Sequence, residues 1–322
     1  MNNLSLDMLD RKILYELDLN SRQPFKKLAK TLRISKETAR FRVLRLIEKE
    51  YIKNFMTTIN ISKLNMFYYK IFYKFHKTTT EKDKEIIIWI KNYKGVAYFA
   101  SLEGRYDITF LILARDTEDL YSFLVPFKEK FGEYILEQEI LTMPSVHRFN
   151  FRFFYEKGKE HHTQYPLKRS QPNIDDIDYE ILKQIAKNSR ISLIQLAEIT
   201  KTETNVVKYR IKKLRKKEII GTHVLDLNFE KFNIQHFQIC FILRNHSTIN
   251  SMIRHALQNS KSTFATITLG KYDLALEFAV ENFKEMREIL STIKTKFSQD
   301  IIAHDIFILE QHNINWLPQK EA

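Results

Sequence analysis

Basic and hydroxyl-bearing side chains recur at short spacing in two stretches of the sequence, residues 23–52 and 191–220. In the first stretch, apolar residues at i, i+3, i+4 and i+7 predict a helix with one apolar face. After a three-residue turn, a second apolar stripe predicts another helix, whose remaining faces carry Lys and Arg. Such a helix suits the major groove of DNA. The pattern therefore favours a helix-turn-helix, although one helix alone leaves an ordinary solvated surface helix equally open.

The side chains that we expect to contact DNA lie in the second helix of each stretch. They are Ser35, Lys36, Thr38, Arg40, Arg42 and Arg45 in the first stretch, and Thr204, Asn205, Lys208, Arg210, Lys212 and Lys213 in the second. Those near the helix starts are expected to reach base edges, and the others phosphates. A salt bridge within the domain is an equal alternative for Arg42 and Arg210. Ser35 is a good N-cap, and Thr202 and Thr204 are expected to replace it in the second stretch.

The two stretches belong to a longer internal repeat. Asp10 and Asp178 are 168 positions apart, as are Ile52 and Ile220. A later pair, Gly-Arg-Tyr-Asp from residue 104 and Gly-Lys-Tyr-Asp from residue 270, is offset by 166 positions. Two anchors in the same order at nearly one period indicate tandem duplication of a two-part module.

The second part of each module alternates strand and helix patterns in the order βαββαβ, which is typical of a ferredoxin-like domain. The predicted elements are residues 66–75, 81–93, 96–102, 106–114, 117–131 and 134–143, then 236–243, 248–258, 263–269, 272–280, 283–297 and 301–309. A fifth, edge strand is predicted over residues 149–153. The expected class is α+β, with two winged-helix-like helix-turn-helix domains (1–62 and 174–230) alternating with two ferredoxin-like domains (63–156 and 231–322) across a linker (157–173).

Composition favours a polyanionic partner without naming one. The 322 residues carry a formal net charge of +13 and have a pI near 9.5, so nucleic acid is the first expectation and an acidic membrane the second. One cysteine, Cys240, excludes an intrachain disulfide and is expected to be buried. We find no signal peptide and no apolar run of transmembrane length, so we expect a cytoplasmic protein. His161 and His162 lack further ligands at suitable spacing, so we expect a polar loop there, with no metal and no cofactor.

A helix-turn-helix followed by a βαββαβ domain with a Gly-x-Tyr-Asp hairpin resembles the Lrp/AsnC (feast/famine) transcription regulators. The resemblance rests on Asp10, Leu28-Ala29, Arg42-Val43, Leu46, Ile52, Gly104, Tyr106 and Asp107, with their equivalents in the second copy. It implies dimerisation through the second domain and a small effector, often an amino acid, near the hairpins. The residues it assigns to the effector are Gly104, Arg105, Tyr106, Asp107, Gly270, Lys271, Tyr272 and Asp273. The alternative is that these glycines simply satisfy a turn and the tyrosines pack in the sheet.

The tandem arrangement departs from that family and predicts an intrachain pseudo-dimer on double-stranded DNA, with two half-sites about 34 Å apart. Because the two basic helices differ, an asymmetric operator or one anchoring half is expected. Two other functions remain open. The sirohaem decarboxylases resemble the same architecture as paired halves, but neither hairpin region contains a histidine for a tetrapyrrole pocket. A ligand-sensing assembly protein without DNA binding would be expected to have lost its basic helix residues.

Overall fold

The computed structural model describes residues 6–166 and 174–317, and it begins with a three-helix head. The helices are α1 (Met8–Leu19), α2 (Phe25–Leu32) and α3 (Lys36–Glu48), and a strand, β1 (Ile52–Ile59), follows them. Asp7 caps α1 by accepting a hydrogen bond from the amide of Asp10. Arg33 ends α2 in the left-handed conformation (φ 56°), which turns the chain into α3. We call α1–α3 the first head.

The first ferredoxin-like domain follows with its predicted order of elements. It comprises β2 (Phe67–Phe75), α4 (Thr80–Asn92), β3 (Val96–Glu103), β4 (Ile108–Ala114), α5 (Thr117–Phe131) and β5 (Ile135–Phe149). A further strand, β6 (His162–Pro166), pairs antiparallel with the second half of β5.

The second module repeats this plan. Its helices α6 (Asp176–Lys187), α7 (Leu193–Thr200) and α8 (Thr204–Lys216) form the second head, and β7 (Ile220–Leu227) follows. Its ferredoxin-like domain contains β8 (Gln235–Leu243), α9 (Ile249–Gln258), β9 (Ser262–Leu269), β10 (Leu274–Val280), α10 (Phe283–Lys296) and β11 (Ile301–Ile314). Helix α9 has 10 residues where α4 has 13. The shorter segment between β8 and β9 accounts for the change of repeat offset from 168 to 166.

The eight main strands of the two ferredoxin-like domains close into one antiparallel barrel. The order β2-β4-β3-β11-β8-β10-β9-β5 returns to β2 through a β2–β5 pairing. The first half of β5 pairs with β2 and its second half with β9, and β11 divides in the same way between β8 and β3. Each domain therefore lends its last strand to the edge of the other, so the chain forms its pseudo-dimer internally.

Side chains alternate between the two faces of this barrel. Aromatic residues from both modules meet inside it, among them Phe72, Tyr106, Tyr272 and Phe307. On the outer face, α4 and α5 cover one half of the barrel, and α9 and α10 cover the other. Cys240 is buried on the inner face, as expected, and burial raises the pKa of its thiol to about 12. We call the inside of the barrel the lumen.

The Gly-x-Tyr-Asp hairpins lie where the two domains cross-pair. Gly104 has φ +145°, and a Cβ atom there would lie 2.7 Å from the carbonyl oxygen of Ile306 in β11. Gly270 has φ +141°, and its Cβ would lie 3.1 Å from the carbonyl oxygen of Ile140 and 2.5 Å from Leu141 in β5. Glycine is needed at both places because of the positive φ and because the opposing strand approaches so closely.

The two heads are held together by a separate two-stranded ribbon. Strand β1 pairs antiparallel with β7, with Phe55 opposite Leu225 and Met56 opposite Val224. Ser21 lies in the turn before α2 and Ser189 in the equivalent turn before α7, and their hydroxyls lie 2.8 Å apart. Arg22 donates to the carbonyl oxygen of Ser189 (2.5 Å), and Arg190 donates to that of Ser21 (2.8 Å). Because equivalent residues exchange these bonds, the pseudo-two-fold axis passes between the heads.

Three expectations for the segment between the modules need correction. The edge strand expected over residues 149–153 is wrong, since β5 ends at Phe149 and a 3-10 helix covers Arg152–Phe154. The fifth strand is instead β6, inside the predicted linker, because the second half of β5 offers an edge there. His162 begins that strand and stacks on His147 instead of lying in a loop. Residues 167–173 of the linker lie outside the described part, and the predicted domain boundaries stay predictions.

Replacing Gly104 with alanine should destabilise the barrel. The added methyl group meets backbone that cannot rotate away, and alanine is strained at this φ, so we expect a loss of about 2–3 kcal/mol or more in free energy of unfolding. Urea unfolding followed by circular dichroism measures it. Gly132→Ala is the matched control, because nothing lies within 4 Å of a Cβ at that position. Equal stability of the two variants would show that the hairpin does not constrain closure.

Candidate nucleic-acid interface

The first head builds its second helix as the apolar stripe predicts. The Ser35 side chain accepts a hydrogen bond from the amide of Thr38 at 2.9 Å and so caps α3, which confirms the expected cap. Ala39, Val43 and Leu46 are buried against α1 and α2. This packing leaves Lys36 and Arg40 exposed, together with the N-terminal end of α3, where Ser35 is exposed and Thr38 is half-buried.

The second head forms α8 differently at its start. Its N-cap is Glu203, which makes no side-chain capping bond. The expectation that Thr202 and Thr204 replace the Ser35 cap is wrong, because the Thr202 hydroxyl pairs with that of Thr200 and Thr204 is already the first helical residue. Val207, Ile211 and Leu214 form the buried stripe.

Three of the predicted DNA contacts are engaged inside the heads. Asp10 is buried, and its carboxylate accepts from Arg42 at 3.1 Å and from Arg45 at 2.5 Å. Arg42 also pairs with Asp7, and this hydrogen bond lowers the pKa of the Asp7 carboxyl. In the second head, Arg210 pairs with Asp175 at 2.7 Å and with the buried Asp178 at 2.9 Å. These contacts favour the structural alternative, in which the arginines tie the basic helix to the first helix of each head.

The remaining basic residues leave the two heads with unequal charge. In α3 the exposed cations Lys36 and Arg40 are matched in number by Glu37 and Glu48. Helix α8 contains no acidic residue, and Lys208, Lys212, Lys213, Arg215 and Lys216 lie on its exposed and half-buried faces. Within the described ranges, none of these cations of α3 and α8 forms an ion pair with a carboxylate. We call the five lysines and arginines of α8 named above the α8 cationic face.

Large exposed rings on both helices were missed from the sequence. Phe41 is 64% exposed, and its equivalent Tyr209 is 67% exposed. Leu44 is also exposed, where the second head has Lys212. The available signal was that Phe41 and Leu44 fall outside the buried stripe of Ala39, Val43 and Leu46. Apolar side chains on a groove-binding helix can contact the thymine methyl group.

The cleft between the heads adds further positive charge. Arg22, Lys26, Lys36 and Arg190 line it where the two turns meet. The Arg190 guanidinium stacks on the ring of Phe55, and burial lowers its pKa to about 10. Arg215 donates to His223 of the ribbon, and burial, followed by the nearby Arg215 and Arg22, lowers the pKa of His223 to about 4. His223 is therefore neutral near pH 7 and adds no charge to this face.

The predicted effector residues already have partners within the chain. Asp107 accepts from Lys74 and from the amide of Phe75, and Asp273 accepts from the amide of Leu243 and lies 3.0 Å from His246. Arg105 pairs with Glu137, and the Lys271 ammonium contacts the Tyr106 hydroxyl. Tyr106 and Tyr272 are buried in the lumen. The structure thus brings the two hairpins to the cross-paired edges, which supports their role in closing the barrel, and their effector role stays a prediction.

Two further properties of the described residues bear on function. No three His, Cys, Asp or Glu residues among them come together in a way that could hold a metal ion. No described helix is both long and apolar enough to cross a membrane.

Both heads match known helix-turn-helix domains. Residues 6–47 match the AsnC-type helix-turn-helix domain, and residues 174–220 match a winged helix-turn-helix DNA-binding domain. The transcriptional regulator Ptr1 of Methanocaldococcus jannaschii is 33% identical over 119 residues, which cover 37% of this chain and 79% of Ptr1. AldR of Mycobacterium tuberculosis is 33% identical over 121 residues, covering 37% of this chain and 68% of AldR. The chain belongs to the Lrp/AsnC family.

One solved structure is similar to almost the whole chain, and this similarity is one of fold only. The siroheme decarboxylase NirDL, solved with an iron-uroporphyrin III analogue, aligns with a TM-score of 0.64 over 97% of this chain and 95% of its own. The sequence identity is 10%. NirDL therefore shares the duplicated α+β architecture.

Removing the Arg42 side chain should weaken the first head. Asp10 would keep only Arg45 as a charged partner, so we expect the amides of α3 to lose about 2 kcal/mol of protection free energy in native-state hydrogen exchange. Arg40→Ala removes an exposed arginine from the same helix and should change this value by less than about 0.5 kcal/mol. Equal, small effects of the two substitutions would contradict the structural role of Arg42.

Proposed function

We propose that this chain is a sequence-specific DNA-binding transcription regulator in which two heads of one polypeptide take the places of two subunits. The observation that carries the proposal is the α8 cationic face, which lies on the second helix of a helix-turn-helix. Lysines and arginines there can neutralise phosphates and release counterions, which supplies most of the non-specific binding energy. Asn205 and Lys208, near the start of α8, are the residues that would read base edges.

The two heads would address neighbouring major grooves. They are related by the pseudo-two-fold axis at Ser21 and Ser189, as the subunits of a dimeric regulator are related to each other. Half-sites for such an arrangement lie about 34 Å apart, or one turn of DNA. A fixed relation between the heads is supported by the ribbon and the barrel, which both connect the modules within the chain.

The heads would contribute unequally to binding. The second head has five cations facing outward and no acidic residue in α8, so it would carry most of the salt-dependent affinity. The first head combines Lys36 and Arg40 with Phe41 and Leu44, so it would add less electrostatic energy and more apolar contact with bases. An asymmetric operator follows, with a thymine-containing half-site under the first head.

A small effector would modulate DNA binding through the barrel. The family resemblance assigns an amino acid to the Gly104 and Gly270 hairpins, and their position at the cross-paired edges supports an influence on how the modules sit together. An effector acts only through a difference in its affinity for two arrangements of the protein. Titrating amino acids against the free protein by calorimetry tests this part of the proposal.

The runner-up function is a tetrapyrrole enzyme on the same architecture. The whole-chain likeness to a siroheme decarboxylase supports it as a fold, whereas Ptr1 and AldR are named as transcriptional regulators. Adding an iron porphyrin and recording the visible spectrum separates the two functions. Stoichiometric binding with a shifted absorption band would favour the enzyme.

Salt dependence distinguishes the two heads. Binding to DNA selected from a genomic pool would be measured by fluorescence anisotropy over a series of salt concentrations. Lys212→Ala with Lys213→Ala should reduce the slope of log K against log salt by roughly 1.8, because each phosphate contact contributes about 0.9. Lys36→Ala with Arg40→Ala should reduce the slope less and relax the sequence preference more.

Substitution of two exposed lysines away from both heads, Lys128→Ala with Lys284→Ala, is the matched control and should leave the slope unchanged. The absence of binding above the non-specific level at low salt would contradict the regulator. Equal slope changes for both head variants would contradict the unequal division between them.

A further inference from the structure

A cavity opens at the end of the lumen that lies nearest the heads. Its volume is about 120 Å³, and its lining combines both ferredoxin-like domains with the end of β1 and with β6. Most of its wall is apolar, with Tyr98, Met143, Val146 and Phe264 among the residues that form it. None of the residues of the Gly104 and Gly270 hairpins lines it, so it is separate from the predicted effector position.

One buried cation faces this cavity without a carboxylate partner. Lys70 of β2 is 5% exposed, and its ammonium donates to the side-chain oxygen of Gln238 at 2.9 Å. In the described part of the chain, no carboxylate lies within ion-pair distance of that ammonium. A buried ammonium held by a neutral amide is costly, and an anion beside it would offset the cost.

A half-buried carboxylate that lines the same cavity, Glu277, is already engaged by other side chains. Glu277 accepts from the Gln238 side-chain amide at 2.5 Å, and its other oxygen lies 3.4 Å from His236. Gln238 therefore stands between Lys70 and Glu277, accepting from the first and donating to the second. The Lys70 ammonium also lies 5.2 Å from the centroid of the Phe72 ring, and among the described residues Gln238 is its hydrogen-bond acceptor, which leaves room for an anion to accept from it.

A second donor lines the same cavity and lacks an acceptor. The indole N–H of Trp316, just after β11, is buried and makes no hydrogen bond in the described structure. Buried polar groups almost always have a partner, so an unpaired donor in a cavity wall indicates a group that the site would receive. Lys70 and Trp316 thus both contribute hydrogen-bond donors to the wall of this cavity.

We propose that this cavity binds a small monocarboxylate with a branched apolar body. Lys70 and the Trp316 indole would donate to its carboxylate, and the apolar wall would contact the hydrocarbon part. The volume sets the size, because a cavity of about 150 Å³ accommodates benzene, so a body of four or five carbons fits here. The inference does not depend on the proposed regulation of DNA, since no residue of α3 or α8 is among those that line the cavity.

The test uses 3-methylbutanoate as the probe and the full chain without DNA. The sequence contains two tryptophans, Trp89 and Trp316. Trp89→Phe leaves Trp316 as the only indole reporter, and its emission should change saturably as the acid is added. Methyl-group saturation-transfer NMR measures binding independently. The uncharged isostere 3-methylbutanamide should bind roughly tenfold more weakly or worse, because it lacks the charge-assisted bond.

Lys70→Met should weaken 3-methylbutanoate binding by roughly tenfold or more while the chain stays folded, since it replaces a buried charge with an apolar group of similar length. Lys128→Met, the same change on the exposed face of α5, is the control and should bind as the parent does. Absence of saturable binding would overturn the proposal and leave a cavity that takes only water. Equal affinity for the acid and the amide, or unchanged affinity in Lys70→Met, would also overturn it. DNA binding is not involved, so these outcomes are independent of the proposed function.

Discussion

The structure depends on the pairing of two sheet edges. A four-stranded ferredoxin-like sheet has two edge strands with unpaired backbone donors and acceptors, and such edges invite association with another chain. Here β3 is paired by β11 and β9 by β5, so each domain satisfies the edge of the other. Closure within one chain replaces the contact that two subunits would otherwise make, and it fixes the pseudo-two-fold relation on which the arrangement of the heads rests.

Local patterns in the sequence predict most of the elements and fewer of their contacts. The apolar stripes of α3 and α8 and the alternation of the strands have periods that can be counted, so the sequence predicts most of these elements to within a few residues, whereas β5 and β11 extend beyond their predicted ends at residues 143 and 309 to Phe149 and Ile314. The repeat also predicts an intrachain pseudo-dimer. The cross-pairing of β5 and β11 was not predicted, because a strand with two successive partners shows the same alternation as a strand with one. The same limit explains why β6 was missed, since its only reason to form is an edge offered by β5.

For the basic residues too, the sequence identifies the side chain but does not show which contacts it makes. From the sequence, Arg40 and Arg42 are both candidates for DNA contact, with a salt bridge inside the head as an equal alternative for Arg42. In the structure Arg42 meets the buried Asp10, whereas Arg40 remains exposed. Carboxylates that lie 32 and 35 positions away decide which arginines are free, and spacing within one helix cannot reveal that. Lys70 likewise reads as an ordinary strand lysine until the barrel encloses it.

The lumen and the heads are structurally continuous. The cavity wall includes the end of β1, and the Thr58 hydroxyl of that strand lies 2.6 Å from the Tyr165 hydroxyl of β6, which in turn lies 3.0 Å from that of Thr222 in β7. The ribbon that orients the heads is thus bonded to the strand that borders the lumen. The heads themselves are unlike, with cationic α8 opposite the more apolar α3. The molecule thus carries two unlike heads on one frame formed by the ribbon and the barrel.

Site-directed cleavage of DNA tests most directly whether both heads bind to one operator. With Cys240 replaced by alanine, a single cysteine at Glu37 or at the exposed Glu203 would carry an iron chelate that cuts DNA close to its helix. We expect two cleavage sites on one face of a selected operator, separated by about one helical turn, each assigned to one head. Cleavage by only one of the two derivatives, or at positions with no fixed separation, would contradict the placement of both heads on one operator.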